Sequence, residues 1–549
     1  MPEFRLTGKA VRAIRKTTSI GAMARATWSV SARDFNIPEL LQYADAELES
    51  VDPAPIPIQG RASHHWDDQE LGVPAATGKR TSGTALRKAF ESGATTPSEV
   101  LEKVLAAHEE LGERSPFIEV DTARARKAAA AADERWKNGE PRGPLDGLII
   151  PVKDEFHMRG LPTRGGTTYN EEIQSEDAWI VDKLEAAGAI VLGKTHATEW
   201  GMNPNGMLQH FVGPRNVYDD DHAPGGSSTG SGVATALGLC PSAVGSDGGG
   251  SIRIPASYNG IFGIKPTYIR VGRTGDTWSD STVAHIGPLG QTVADCVEQL
   301  AATAGIDPDD PLTTWAPDEH ESDPWHRALG RGVRGARIGI CRDELGFADP
   351  VVADAVLDTA SALQAEGAEL IDIDLPFGPV MNAIGVMAIG CETMGNLQYD
   401  FAKYADHFGD ELAILISMLS GVKSEQYMLA ARARAALRRQ VAEIFQDVDL
   451  LILPTTVDTA CTYPRALDRT AVLDPAATAG ATRFNFLANL TGLPAGTVPA
   501  GEKNGLPIGV QFVGDAWDEG SVIAAMAHCE RLGLHDSLPR PEGFIPLLD

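Results

Sequence analysis

From Ala223 to Thr267 the chain reads APGGSSTGSGVATALGLCPSAVGSDGGGSIRIPASYNGIFGIKPT, with eleven glycines concentrated around two compact clusters. These are Gly225-Gly226-Ser227-Ser228 and Gly248-Gly249-Gly250-Ser251, with apolar runs between them. Glycine admits positive φ and close backbone approach, and successive N–H groups turned inward form a concavity that attracts negative charge. Three readings are open. A phosphate cradle would need G-x-x-x-x-G-K-[ST], or a strand followed by G-x-G-x-x-G, and neither is present. An oxyanion hole beside a serine nucleophile would use the N–H groups of Gly248, Gly249, Gly250 and Ser251, although no G-x-S-x-G elbow surrounds Ser251. A structural glycine turn without chemistry is the third.

Upstream, Gly147 to Phe156 reads GLIIPVKDEF, in which a short apolar run, Leu148 to Val152, leads into Lys153. Apolar spacing predicts helices over Pro97 to Leu111 and Ala178 to Ala187, with a strand-like run at Ile190 to Leu192. Downstream lie a mostly helical insert, about Val380 to Gln446, and a strand, Val448 to Leu453, ending at Pro454. A strand at Ile508 to Val513 and a helix near Val522 to Leu532 follow. Alternating strand and helix imply a layered α/β sheet.

The bulk properties remove several classes of function. A net charge of −28 repels nucleic acid. No run of eighteen apolar residues suggests a membrane span. Six scattered cysteines without a C-x-x-C pair fit neither a disulfide scaffold nor a zinc site, and imply reduced thiols in a reducing, cytoplasmic compartment. No metal or cofactor is expected, because no H-E-x-x-H or comparable cluster appears.

Residues 1–80 stand apart. Arg5, Lys9, Arg12, Arg15, Lys16, Arg25 and Arg33 fall in a stretch with no acidic residue, and Asp52 to Gly60 reads as a proline-rich connector. A transit peptide or a membrane-surface helix has this charge pattern. The competing expectation is a helical arm that packs on the acidic body or on a second copy, so a homodimer is compatible with the sequence and membrane binding is not expected.

The two clusters closely resemble the amidase signature family, whose motif runs GGSS-G-S, a short apolar helix, then G-S/T-D-x-GGSIR-P and G-x-KP-T. Ser227 and Ser251 are 24 positions apart, as the family's two catalytic serines are, and Lys153 lies 74 positions before Ser227, near the family's interval for its lysine. Thr229 departs from the glycine that many members carry there. The likeness extends through LEAAGAIVLGKTHATEWG (Leu184 to Gly201), VDLLILPTT (Val448 to Thr456), NLTGLPAGTVPAG (Asn489 to Gly501) and GLPIGVQFVG (Gly505 to Gly514), covering roughly residues 81–535.

The resemblance implies one large domain, residues 81–549, with a mixed, twisted sheet covered by helices on both faces, the insert at 380–446 and the arm at 1–80 outside the likeness. It implies amide hydrolysis through an acyl-enzyme on Ser251, with Ser227 as proton relay on a cis peptide after Gly226 and Lys153 as base. Gly248, Gly249 and Gly250 would form the oxyanion hole. A buried strand end favours the neutral lysine that a base requires.

Asp247 and Arg253 are expected to hold the loop, and Lys194 and Lys265 to be structural. Substrates would be small, aryl or anilide-type amides, with carbamates and esters as extensions. Specificity would come from Trp200 to Phe211, Tyr268 to His285 and the insert. Three alternatives stay open: a glutamine-hydrolysing amidotransferase subunit, an inactive scaffold of the same fold, and a Ser-His-Asp triad drawn from the thirteen histidines.

Overall fold

A computed structural model describes residues 5–18, 35–40, 42, 48, 50, 51, 56–60, 66, 70–75, 80–277, 281–317 and 323–548. Arg25, Arg33 and residues 52–55 of the connector lie outside the described residues.

Among the described residues, eleven strands form one sheet in the order Phe117–Val120, Gly193–Thr195, Val152–Lys153, Ser242–Asp247, His285–Gly290, Phe262–Lys265, Ala495–Lys503, Leu506–Gly514, Leu450–Pro454, Arg337–Ile340, Glu369–Asp372. The sheet is mixed, as expected. Val152 pairs in parallel with Lys194 on one side and Val244 on the other, whereas Ser242–Asp247 runs antiparallel to His285–Gly290.

Strand alternation explains the helices on both faces. In Leu450–Pro454, Leu450 and Ile452 enter one hydrophobic cluster while Leu451 and Leu453 enter the other. Successive side chains point to opposite faces, so a strand apolar at every position must be covered twice. The first cluster takes Val297 and Leu300 from helix Val293–Thr303 and Val522 and Met526 from helix Glu519–Arg531. The second takes Ile384 and Met387 from helix Met381–Tyr404 and Leu437 and Val441 from helix Ser424–Ile444. The insert is therefore three helices, with Asp410–Leu419 between those two, and it builds much of one core.

Helix Pro97–Leu111 matches its expected bounds and starts with a capping box, Thr96 with Glu99. Two expected strands begin later in the chain than the apolar runs suggested. Ile149 and Ile190 form only an isolated bridge, and regular pairing begins at Val152 and Gly193. Pro151 has no N–H to donate, so the ladder is interrupted there.

The arm meets the insert. Leu6–Thr7 pairs antiparallel with Val472–Leu473, and helix Lys9–Thr18 follows. Arg15 Nη1 donates to Asp410 Oδ1 at 2.8 Å and to the Phe408 carbonyl at 3.0 Å. Among the described residues, no helix is long and apolar enough to cross a membrane.

Candidate active site

Three neighbouring elements bring the singled-out residues together. Lys153 ends a strand that runs parallel to Ser242–Asp247, so both strands deliver their last residues to the same edge of the sheet. Carboxyl ends of parallel strands are where α/β sheets place their sites. Ser227 directly precedes the turn into helix Thr229–Ala236, and its peptide bond with Gly226 is cis. Gly230 lets this helix press on the sheet, because a Cβ there would stand 2.3 Å from the Pro116 carbonyl oxygen.

Lys153, with no exposed surface, donates from Nζ to Ser227 Oγ at 2.8 Å and to Ser246 Oγ at 2.7 Å. Glu155 Oε2 lies 2.8 Å from the same nitrogen. A cavity is lined by these four residues together with Ser251, Gly248 and Met202, among others. The Ser251 side chain forms no hydrogen bond among the described residues, while its carbonyl accepts from the Ser228 N–H at 3.3 Å. That contact ties the two glycine-serine turns to each other.

Gly250 sits at φ 113°, where a Cβ would come within 2.6 Å of the Asn485 side chain. Only glycine fits this turn. The Gly250 N–H donates to Asp247 Oδ1 at 2.7 Å, so it is engaged inside the turn. This corrects the expectation of three glycine donors facing the cavity: Gly248 and Gly249 keep N–H groups not used in the turn, and Gly250 does not.

Asp247 and Arg253 lie beneath. Arg253 forks onto both carboxylate oxygens and also donates to Gln511 Oε1 at 2.9 Å and Asn489 Oδ1 at 2.7 Å. Burial alone would raise the Asp247 carboxyl, but Arg253, Lys265 and Asn489 hold it well below the usual carboxylate range. Lys194 pairs with Asp154 at 3.0 Å, and Lys265 donates to the carbonyls of Leu493 and Pro266. Neither lysine lines the cavity.

Among the described residues no histidine lines the cavity. His285 is packed close by, but its Nδ1 faces the Val283 and Asp247 carbonyls and burial lowers its pKa well below the ordinary value. The three expected specificity segments each reach the cavity: Gly201 and Met202 from the first, Ser281 and Ala284 from the second, Ile389 from the insert. Residues 278–280 of the second lie outside the described residues. Sequence reasoning missed Glu155 and Ser246. Glu155 lies two residues after Lys153 and Ser246 adjoins Asp247, which was the available signal.

The description "Amidase" belongs to the family model that matches residues 99–523. A fatty acid amide hydrolase of Medicago truncatula is 33% identical, over 84% of this chain and 77% of that one. A glutamyl-tRNA(Gln) amidotransferase subunit of Synechococcus sp. strain WH7803 is 35% identical, over 78% and 92%. A solved bacterial aryl acylamidase superposes with a TM-score of 0.73 at 25% identity, covering 83% of this chain and 97% of its own.

Proposed function

Because this chain belongs to the amidase signature family, we propose that it hydrolyses small, aryl or anilide-type carboxamides through an acyl-enzyme on Ser251. The observation that carries the reading is the 2.8 Å contact of Lys153 Nζ with Ser227 Oγ, in a cavity that Ser251 also lines. A neutral Lys153 takes the Ser227 proton while Ser227 takes that of Ser251, and Ser251 Oγ attacks the carbonyl carbon. The N–H groups of Gly248, Gly249 and Ser251 stabilise the oxyanion, and the Gly250 contact with Asp247 shapes the turn that aims them.

Collapse breaks the C–N bond. The leaving nitrogen takes a proton from Ser227, which is replaced from Lys153. Water then attacks the ester carbon, passing its proton along the same path, and the carboxylic acid leaves as Ser251 regains its hydrogen. Carbamates and esters fit the same sequence of steps.

We read residues 1–80 as an arm and 81–549 as the catalytic domain. Similarity to an amidotransferase subunit keeps a glutamine-hydrolysing role as the second reading. The arm helix seated on the insert favours a free-standing enzyme. A fluorophosphonate probe tests the nucleophile: one adduct, mapped to Ser251 and absent from Ser251→Ala, is expected. Labelling elsewhere, or undiminished labelling of the variant, overturns the assignment.

A further inference from the structure

Glu155 is placed where the proposed mechanism gives it no task. It is 2% exposed, it lines the cavity, and only one of its carboxylate oxygens is engaged. Oε2 faces Lys153 Nζ at 2.8 Å. Oε1 is buried with no hydrogen-bond partner among the described residues. An unsatisfied buried carboxylate oxygen costs free energy that its surroundings normally recover through a donor. Glu155 is also one of the residues lining the cavity that would receive substrate.

The proton path sets where the leaving nitrogen comes. To be protonated by Ser227, a leaving nitrogen must come within hydrogen-bond reach of Ser227 Oγ. Lys153 Nζ contacts both Ser227 Oγ and the Glu155 carboxylate, each at 2.8 Å. The Glu155 carboxylate thus stands one amine away from the hydroxyl that delivers the proton. Resting on the amidase reading, we infer that Glu155 Oε1 is a specificity-determining acceptor for an N–H of the leaving amine, so that carboxamides bearing such an N–H, primary amides and anilides alike, are preferred over tertiary amides.

A primary amide nitrogen carries two hydrogens and presents a donor to Oε1. A tertiary amide nitrogen carries none and would bring alkyl groups against a buried carboxylate. Both substrates need the same proton return, so any disturbance of Lys153 affects them together and only the donor distinguishes them.

The test is the ratio of kcat/KM for benzamide to that for N,N-dimethylbenzamide, read by benzoate release from the full-length chain. Glu155→Met removes both acceptor oxygens at similar length. The ratio is expected to fall by roughly tenfold, the effect of losing one hydrogen bond to a charged group. Glu155→Gln keeps a weaker, neutral acceptor and is expected to lower it by roughly threefold.

Thermal unfolding establishes that each variant is folded. An unchanged ratio in folded Glu155→Met, or in Glu155→Gln should the first variant not fold, overturns the inference and leaves Glu155 as a partner of Lys153 alone. A wild-type protein that hydrolyses no amide and takes no label on Ser251 refutes the amidase reading and this inference together. Turnover of both amides with an unmoved ratio refutes only the inference.

Discussion

Arg253 holds Asp247 in a two-point fork, Nη2 to Oδ1 at 2.9 Å and Nε to Oδ2 at 3.0 Å, with neither side chain exposed. The pair shapes the nucleophile turn, because the N–H groups of Gly250 and Ile252 donate to the same carboxylate.

Arg253→Met is expected to destabilise the fold by about 3–5 kcal/mol, because it strands a buried carboxylate. Urea denaturation reads this as a lower midpoint with the slope retained. A cost below about 1 kcal/mol, the level of an exposed pair, would contradict the structural role.

Asp295 predicts a pH dependence. Burial pushes its carboxyl up to about 7, against donors from Thr292 Oγ1 and the Gly83 N–H and the charge of Arg87, with Glu298 adding to the rise. Glu530 and Arg80, packed nearby, are coupled to it. In the folded state Asp295 therefore holds its proton at pH values where the unfolded chain has released it. Its stabilising contribution is full below the ordinary aspartate range and is lost as pH rises to about 7.

Asp295→Asn has no such proton to lose. Its Tm relative to wild type is expected to rise between pH 5 and pH 8 by the equivalent of a few kcal/mol. Comparing the two proteins cancels the titration of Glu530 to first order. A Tm difference that stays flat across that range would contradict the assignment.

The arm carries the third prediction. Arg15 contacts Asp410 and the Phe408 carbonyl, so the basic helix is already engaged by the body's own acidic surface. Intact protein is expected to remain in the supernatant with anionic vesicles at physiological salt. Arg15→Ala should speed proteolytic cleavage within residues 1–80, since it removes hydrogen bonds worth about 1–3 kcal/mol to a charged partner. Wild-type protein pelleting with the vesicles would show that the arm serves a membrane surface.

The parts of this site legible in sequence are those where chemistry restricts residue type. A turn such as that at Gly250 tolerates no Cβ, and the positions of Ser227, Ser251 and Lys153 resemble a known pattern strongly enough to be named before any geometry. Strand Leu450–Pro454 was legible for a related reason: a run apolar at every position has to be covered on both faces.

What escaped depends on three-dimensional direction. Whether the Gly250 N–H faces the cavity or Asp247 is a matter of one peptide's orientation. Glu155 follows Lys153 by two residues, but its Oε2 contact with Nζ follows from how the chain turns at the strand end, where the Glu155 N–H donates to the Lys153 carbonyl at 2.7 Å. Pro151, visible in the sequence, shortened a strand that its apolar neighbours extended.

The measurement that bears most directly on the central claim compares Lys153→Ala with wild type on a primary amide and a methyl ester sharing one acyl group. Removing the lysine strands Glu155, so thermal unfolding must first establish that the variant is folded. Because an amine leaves only with a returned proton and an alkoxide needs it less, kcat/KM for the amide is expected to fall by roughly a hundredfold or more, and for the ester by clearly less. Equal losses on the two substrates would contradict proton return through Lys153 and Ser227, and wild-type amide hydrolysis in the folded variant would refute Lys153 as the base.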